Sequence, residues 1–87
     1  MTNEWTQSAL HYLRWFLRSR AYGGFPFIVE EARLWAYHKG LEAPKDERHW
    51  GTVTRIAIAD KIIMATGKFA AAKSSHNSPK RLYRRAS

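Results

Sequence analysis

Apolar and polar positions alternate at helical spacing over three stretches of the chain and then change rhythm. From Glu4 to Arg20 the apolar residues Trp5, Ala9, Tyr12, Leu13, Phe16 and Leu17 fall on one side of a helix turning about 100° per residue. His11, Arg14 and Arg18 fall on the other side. Thr2 or Asn3 can cap this helix, and Glu4 suits the positive end of its dipole. Tyr22-Gly23-Gly24 breaks it, and Pro26 pushes Phe25 towards extended backbone, predicting a very short strand or an entry turn. A second helix fits 28–39, with Ile28, Ala32, Trp35 and Ala36 on one face, acids at its start and Gly40 placed to end it. A third fits 46–60, capped by Asp46, with Trp50, Val53 and Ala57 inward and Arg48, Thr52, Arg55 and Ala59 outward. Gly51 lies close to that outward side and leaves room for another surface.

After Asp60 the helical pattern stops. Ile62-Ile63-Met64 is short and rich in β-branched residues, which predicts a strand running loosely to Phe69. The segment 70–79, "AAAKSSHNSP", has the small and polar character of a connecting loop, and Arg81-Leu82-Tyr83-Arg84 suits a returning strand. The hairpin then spans about 62–84. The order helix, short strand or turn, helix, helix, hairpin is that of a winged helix-turn-helix. The expected fold is therefore mainly α with a small β-hairpin, one domain over 1–87, three helices and a two- or three-stranded wing. Such a fold sets its third helix in the major groove and its wing along the backbone or the minor groove.

Charge sharpens this picture. The chain carries 15 Lys and Arg against 7 Asp and Glu, and every acid lies at or before Asp60. Beyond it come seven bases and no acid: Lys61, Lys68, Lys73, Lys80, Arg81, Arg84 and Arg85. A field of that sign attracts polyanions. Arg48, Thr52 and Arg55 recur at i, i+4 and i+7, so all three can face one groove. Arg suits guanine O6 and N7, and Thr suits base edges or the thymine methyl. Lys68, Lys73, Lys80, Arg81, Arg84 and Arg85 are the candidate phosphate contacts, with Ser75, His76 and Asn77 in the wing. Trp15 lies off the apolar stripe; with Arg14 and Arg18 it marks a candidate partner surface.

Other chemistries find little support. There is no cysteine, so thiolate catalysis, disulfides and cysteine-bound zinc are excluded. His11, His38, His49 and His76 lack zinc-ligand spacing, and no metal or other cofactor is expected. Ser74, Ser75 and His76 are neighbours without an acid to orient them, and Gly23-Gly24 has no following lysine, so no enzyme is expected. No apolar run reaches the roughly 18 residues that would span a bilayer, and the first five residues lack a signal-peptide layout, predicting a cytoplasmic protein.

"RHWGTVTRIAIADKII" followed by "SSHNSPKRLYRR" resembles small phage- and prophage-encoded winged-helix proteins, whose C-terminal half carries Arg-x-Trp-Gly, an Ile-rich strand, a Ser-x-His-Gly wing and a final aromatic among arginines. The corresponding residues are Arg48, Trp50 and Gly51; Ile62 and Ile63; Ser75, His76 and Asn77; and Tyr83. Upstream, "FPFIVEEARLWAYHKGLEAPKD" looks like the family's second helix and its loop, so the resemblance covers roughly Phe25 to Arg85. Asn77 replaces the family's Gly and Tyr83 its Trp, and Ala57, Ile58 and Ala59 stand where further bases would strengthen base reading. The resemblance implies a regulatory DNA-binding factor acting in transcription control, replication or DNA handling in a bacterial or phage-infected cell. Two other readings share the fold. One is a small phage protein that binds and inhibits a host protein or ribonucleoprotein complex, and the other is an RNA-binding winged helix. The partner is thus nucleic acid, first of all double-stranded DNA, or a host protein, with a homodimer left open and no membrane role.

Overall fold

The computed structural model describes residues 4–20, 22–72 and 78–86. Three helices, α1 (Glu4–Leu17), α2 (Val29–His38) and α3 (His49–Ala59), precede two strands, β1 (Ile63–Ala72) and β2 (Ser78–Arg85). The strands pair antiparallel in a two-stranded sheet.

α1 forms because its buried residues Thr6, Ala9, Leu10, Leu13, Phe16 and Leu17 recur every three or four positions. It ends at Leu17, earlier than the 4–20 expected. Arg18 and Ser19 donate backbone N–H groups to the carbonyls of Trp15 and Phe16, and Ser19 Oγ also donates to Phe16 O at 2.6 Å. The final turn is thereby closed. The chain then turns through Gly23 and Gly24, both at positive φ.

Of the very short strand or entry turn expected before α2, the structure shows a single bridge at Phe27. It exchanges both backbone hydrogen bonds with Tyr83, at 2.9 and 2.7 Å. Phe27 is 1% exposed and sits at the centre of an aromatic core. Its ring meets Phe16 at 5.2 Å, Tyr22 at 5.6 Å and Tyr83 at 6.4 Å between centroids. Tyr22 Oη accepts the backbone N–H of Arg85 at 2.9 Å, joining the last residue of β2 to this core.

Ile28 is extended and precedes α2 rather than starting it. α2 ends where Gly40 adopts φ +117°, with the Leu41 N–H reaching back to Ala36 O at 2.9 Å. α3 buries Trp50, Val53 and Ala57, the three residues expected inward.

Its start differs from the 46–60 expected. Asp46 to Arg48 form a turn, and the helix begins at His49 with no side-chain cap at Arg48. The Asp46 carboxylate accepts the Arg48 N–H at 2.9 Å, an Asx-type turn that competes with a helix N-cap for the same acceptor.

The hairpin is longer than its loop-like sequence suggests. β1 continues to Ala72 and β2 begins at Ser78, so much of the expected loop 70–79 is paired strand. Three residues of β1, Thr66 to Lys68, oppose Leu82 alone, because the register shifts between Ala65 and Phe69. Gly67 takes φ +83° at this bulge. Thr66 Oγ1 holds it, donating to Leu82 O at 3.1 Å and accepting the Lys68 N–H at 3.2 Å. No helix among the described residues is long and apolar enough to cross a membrane.

Candidate nucleic-acid interface

The outward side of α3 gathers Gly51, Thr52, Arg55, Ile58 and Ala59, with Arg48 just before the first turn. Arg55 is fully outward, and one of its nitrogens lies 3.5 Å from Thr52 Oγ1. The two can therefore act on one partner. Thr52 is half-buried. Gly51 is exposed, and a Cβ built there would meet nothing within 4 Å. Neither backbone conformation nor internal packing requires glycine at this position.

Arg48 does not stand as free as its spacing suggests. Its side chain is 91% exposed, yet Nη2 lies 2.7 Å and Nε 2.9 Å from Asp46 Oδ2. The Arg48 hydrogen bonds hold the Asp46 carboxyl below its ordinary range. A carboxylate thus stands beside the first of the three base-facing candidates.

The second acid, Glu47, is exposed but engaged with α2. It accepts from Arg33 Nη1 at 3.2 Å and Tyr37 Oη at 3.3 Å, and Tyr37 Oη accepts from Trp50 Nε1 at 2.9 Å. This chain of donors and acceptors fixes the angle between α2 and α3. Burial, and then the Glu47 charge, raise the Tyr37 phenol above its usual value, so it stays protonated and can donate to Glu47. Glu47 was legible only as an acid behind a cap, because its partners lie 10 and 14 residues back.

The hairpin cations divide between two faces. Tyr83 points into the core. Strand alternation therefore puts Arg81 and Arg85 on its side and Lys80 and Arg84 on the other. Lys68 stands at the bulge, near Phe69 and Arg81 on one face and near Met64 and Arg84 on the other. All five are exposed, and neither strand carries an acid.

Arg85 is separated from the other four. Its Nη1 donates to Leu17 O at the end of α1, at 3.4 Å. Lys73, Ser75, His76 and Asn77 lie outside the described residues.

Trp15 is 40% exposed, but its ring packs edge-on against Trp35 at 5.0 Å and lies near the Lys39 ammonium. It belongs to the α1–α2 seam more than to an open surface, and the structure parts it from Arg14 and Arg18. Comparison with protein-family models, with curated proteins and with solved structures gives no match.

Proposed function

We propose that this chain is a winged-helix protein that binds double-stranded DNA, with α3 in the major groove and the β1–β2 hairpin against phosphates. The observation that carries the reading is the hairpin. Lys68, Lys80, Arg81 and Arg84 are exposed on two paired strands without an acid, and they project from both faces. A ribbon charged on both faces suits a groove whose two walls are both rows of phosphate. Arg55 and Thr52 supply the base contacts, and Arg48 contributes once it leaves Asp46. A role in phage-type regulation follows from the resemblance over Phe25 to Arg85.

A salt titration tests this. Each phosphate contact contributes about −0.9 to the slope of log K against log salt on duplex DNA. Replacing Lys68, Lys80, Arg81 and Arg84 together by Ala flattens that slope by up to about 3.6 and weakens all sequences alike. Arg85 is left in place because it ties β2 to α1. An unchanged slope in a folded variant overturns the reading. Tighter binding to double-stranded RNA or to single strands in the same titration would replace it with the RNA-binding alternative.

One observation favours the host-protein alternative. Ile58 is 41% exposed on the outward side of α3, beside Ala59 and Gly51. An apolar strip of that kind suits a protein surface as well as thymine methyls. Absence of binding to any nucleic acid at low salt would move this alternative to first place.

A further inference from the structure

Arg14 belongs to α1, Arg18 to the turn that closes it and Arg85 to β2, yet the fold brings them together with Lys61 around one hollow. Arg14, Leu17, Arg18, Lys61, Ile62 and Arg85 line a shallow depression of about 250 Å³. Its floor is aliphatic: Leu17 is buried and Ile62 half-buried. Its rim is four exposed cations from three separate segments. No acid lines it, and among the described residues Arg14, Arg18 and Lys61 form no salt bridge. Arg14, Arg18 and Lys61 are like charges around one hollow, and an anion arriving there would offset their mutual repulsion.

Lys61 adds an independent sign. It follows α3 in the left-handed region, φ +58°, and is the only described non-glycine residue at positive φ. The turn is a regular helix ending, with Ile62 N–H reaching Ala57 O at 2.8 Å and Lys61 N–H reaching Ile58 O at 3.1 Å. α2 ends in the same turn, with Leu41 N–H on Ala36 O and Gly40 N–H on Tyr37 O, and there the equivalent position is glycine. One chain thus makes the same turn twice, with the favoured residue at one and a strained lysine at the other. The strained one borders the cationic hollow, so its side chain has a use that backbone geometry does not explain.

We infer that this depression docks an acidic segment of a protein partner. Carboxylates of the segment pair with Arg14, Arg18 and Lys61, and one apolar side chain between them seats on the half-buried Ile62 at the floor. The aliphatic floor decides for a peptide: it offers a phosphodiester backbone no donor, whereas an acidic segment with an apolar anchor uses both floor and rim. The site lies at the base of the hairpin, where Arg85 pairs with Ile63. Along β2 this is roughly 13–17 Å from Arg81 and Lys80, at about 3.3 Å per residue, and the neighbouring Arg84 leaves the strand on the opposite face. It therefore stands apart from the distal hairpin and does not depend on the DNA reading.

The test uses the full chain and a fluorescein-labelled peptide, Glu-Glu-Leu-Phe-Glu-Glu, followed by anisotropy, with a random-sequence duplex titrated in parallel. The double variant Arg14→Ser, Arg18→Ser lowers peptide affinity about tenfold and leaves duplex affinity unchanged, whereas Lys80→Ser, Arg81→Ser does the reverse. Lys61→Gly weakens the peptide about threefold while its melting temperature rises by a few degrees, because the strain is relieved. Replacing Leu and Phe of the peptide by Ser abolishes the difference between the two double variants. Equal loss of peptide from both double variants, or no effect of the apolar residues, overturns the proposal in favour of unspecific charge attraction. Loss of duplex rather than peptide in the Arg14, Arg18 variant assigns the hollow to nucleic acid instead. Failure of the DNA reading shows separately, as absent duplex binding in the unmodified chain.

Discussion

Arg48 enters α3 already paired with Asp46, so the charge it offers a phosphate is offset before any partner arrives. Asp46→Asn removes the negative charge and keeps an oxygen to accept the Arg48 N–H. Duplex affinity should rise, and the salt slope should steepen by up to about 0.9 if Arg48 then meets a phosphate. A titration showing no change would place Arg48 off the DNA. The pH dependence has a definite sign. The Asp46 carboxyl is held below its ordinary range, so the pair persists as pH falls through that range and is lost only below it. Tyr37 gives a second residue-scale expectation. Tyr37→Phe removes the acceptor of Trp50 Nε1 and one donor to Glu47, and a denaturant melt should show a loss of about 1–2 kcal/mol. The Asp46 pair was within reach of the sequence, since Asp two places before Arg is a local turn signal. The Trp50–Tyr37–Glu47–Arg33 chain was not, because nothing in helical periodicity says which polar residues of two helices meet.

At the scale of elements, the helices were legible where apolar residues repeat and less so at their ends. Trp50, Val53 and Ala57 pointed inward as the spacing requires, whereas the start of α3 moved to His49 because an Asx-type turn and an N-cap look alike in sequence. The hairpin arms were under-read for a different reason. Alanines at 70–72 carry little strand pattern of their own, and only pairing with 78–80 defines them as β1. Gly51 supplies the element-scale prediction. It stands in the first turn of α3 with open space where a Cβ would go, so Gly51→Ala should stabilise the fold by about 0.5–1 kcal/mol. If a partner approaches α3 closely there, the same change weakens duplex binding while the melting temperature rises. A stabilised variant with unaltered binding would show that this turn of α3 faces solvent in the complex.

Across the whole molecule, positive charge is distributed on two separate structures: a ribbon with cations on both faces and a hollow at its base with an apolar floor. Counting bases revealed the excess and its place after Asp60. It could not reveal the division, which depends on strand alternation around Tyr83 and on α1 ending next to β2. The bulge between Ala65 and Phe69 also governs how the molecule behaves among copies of itself. A long, regular strand with an open edge is a template for another strand, and proteins blunt such edges with bulges, lysines and prolines. Here the bulge interrupts β1 halfway, Lys68 stands on it, and Pro79 removes one N–H donor from β2. The hairpin can therefore extend into solvent as a charged arm without offering its backbone to a neighbouring hairpin, protected against edge-to-edge aggregation by a bulge, a lysine and a proline that play no part in the core.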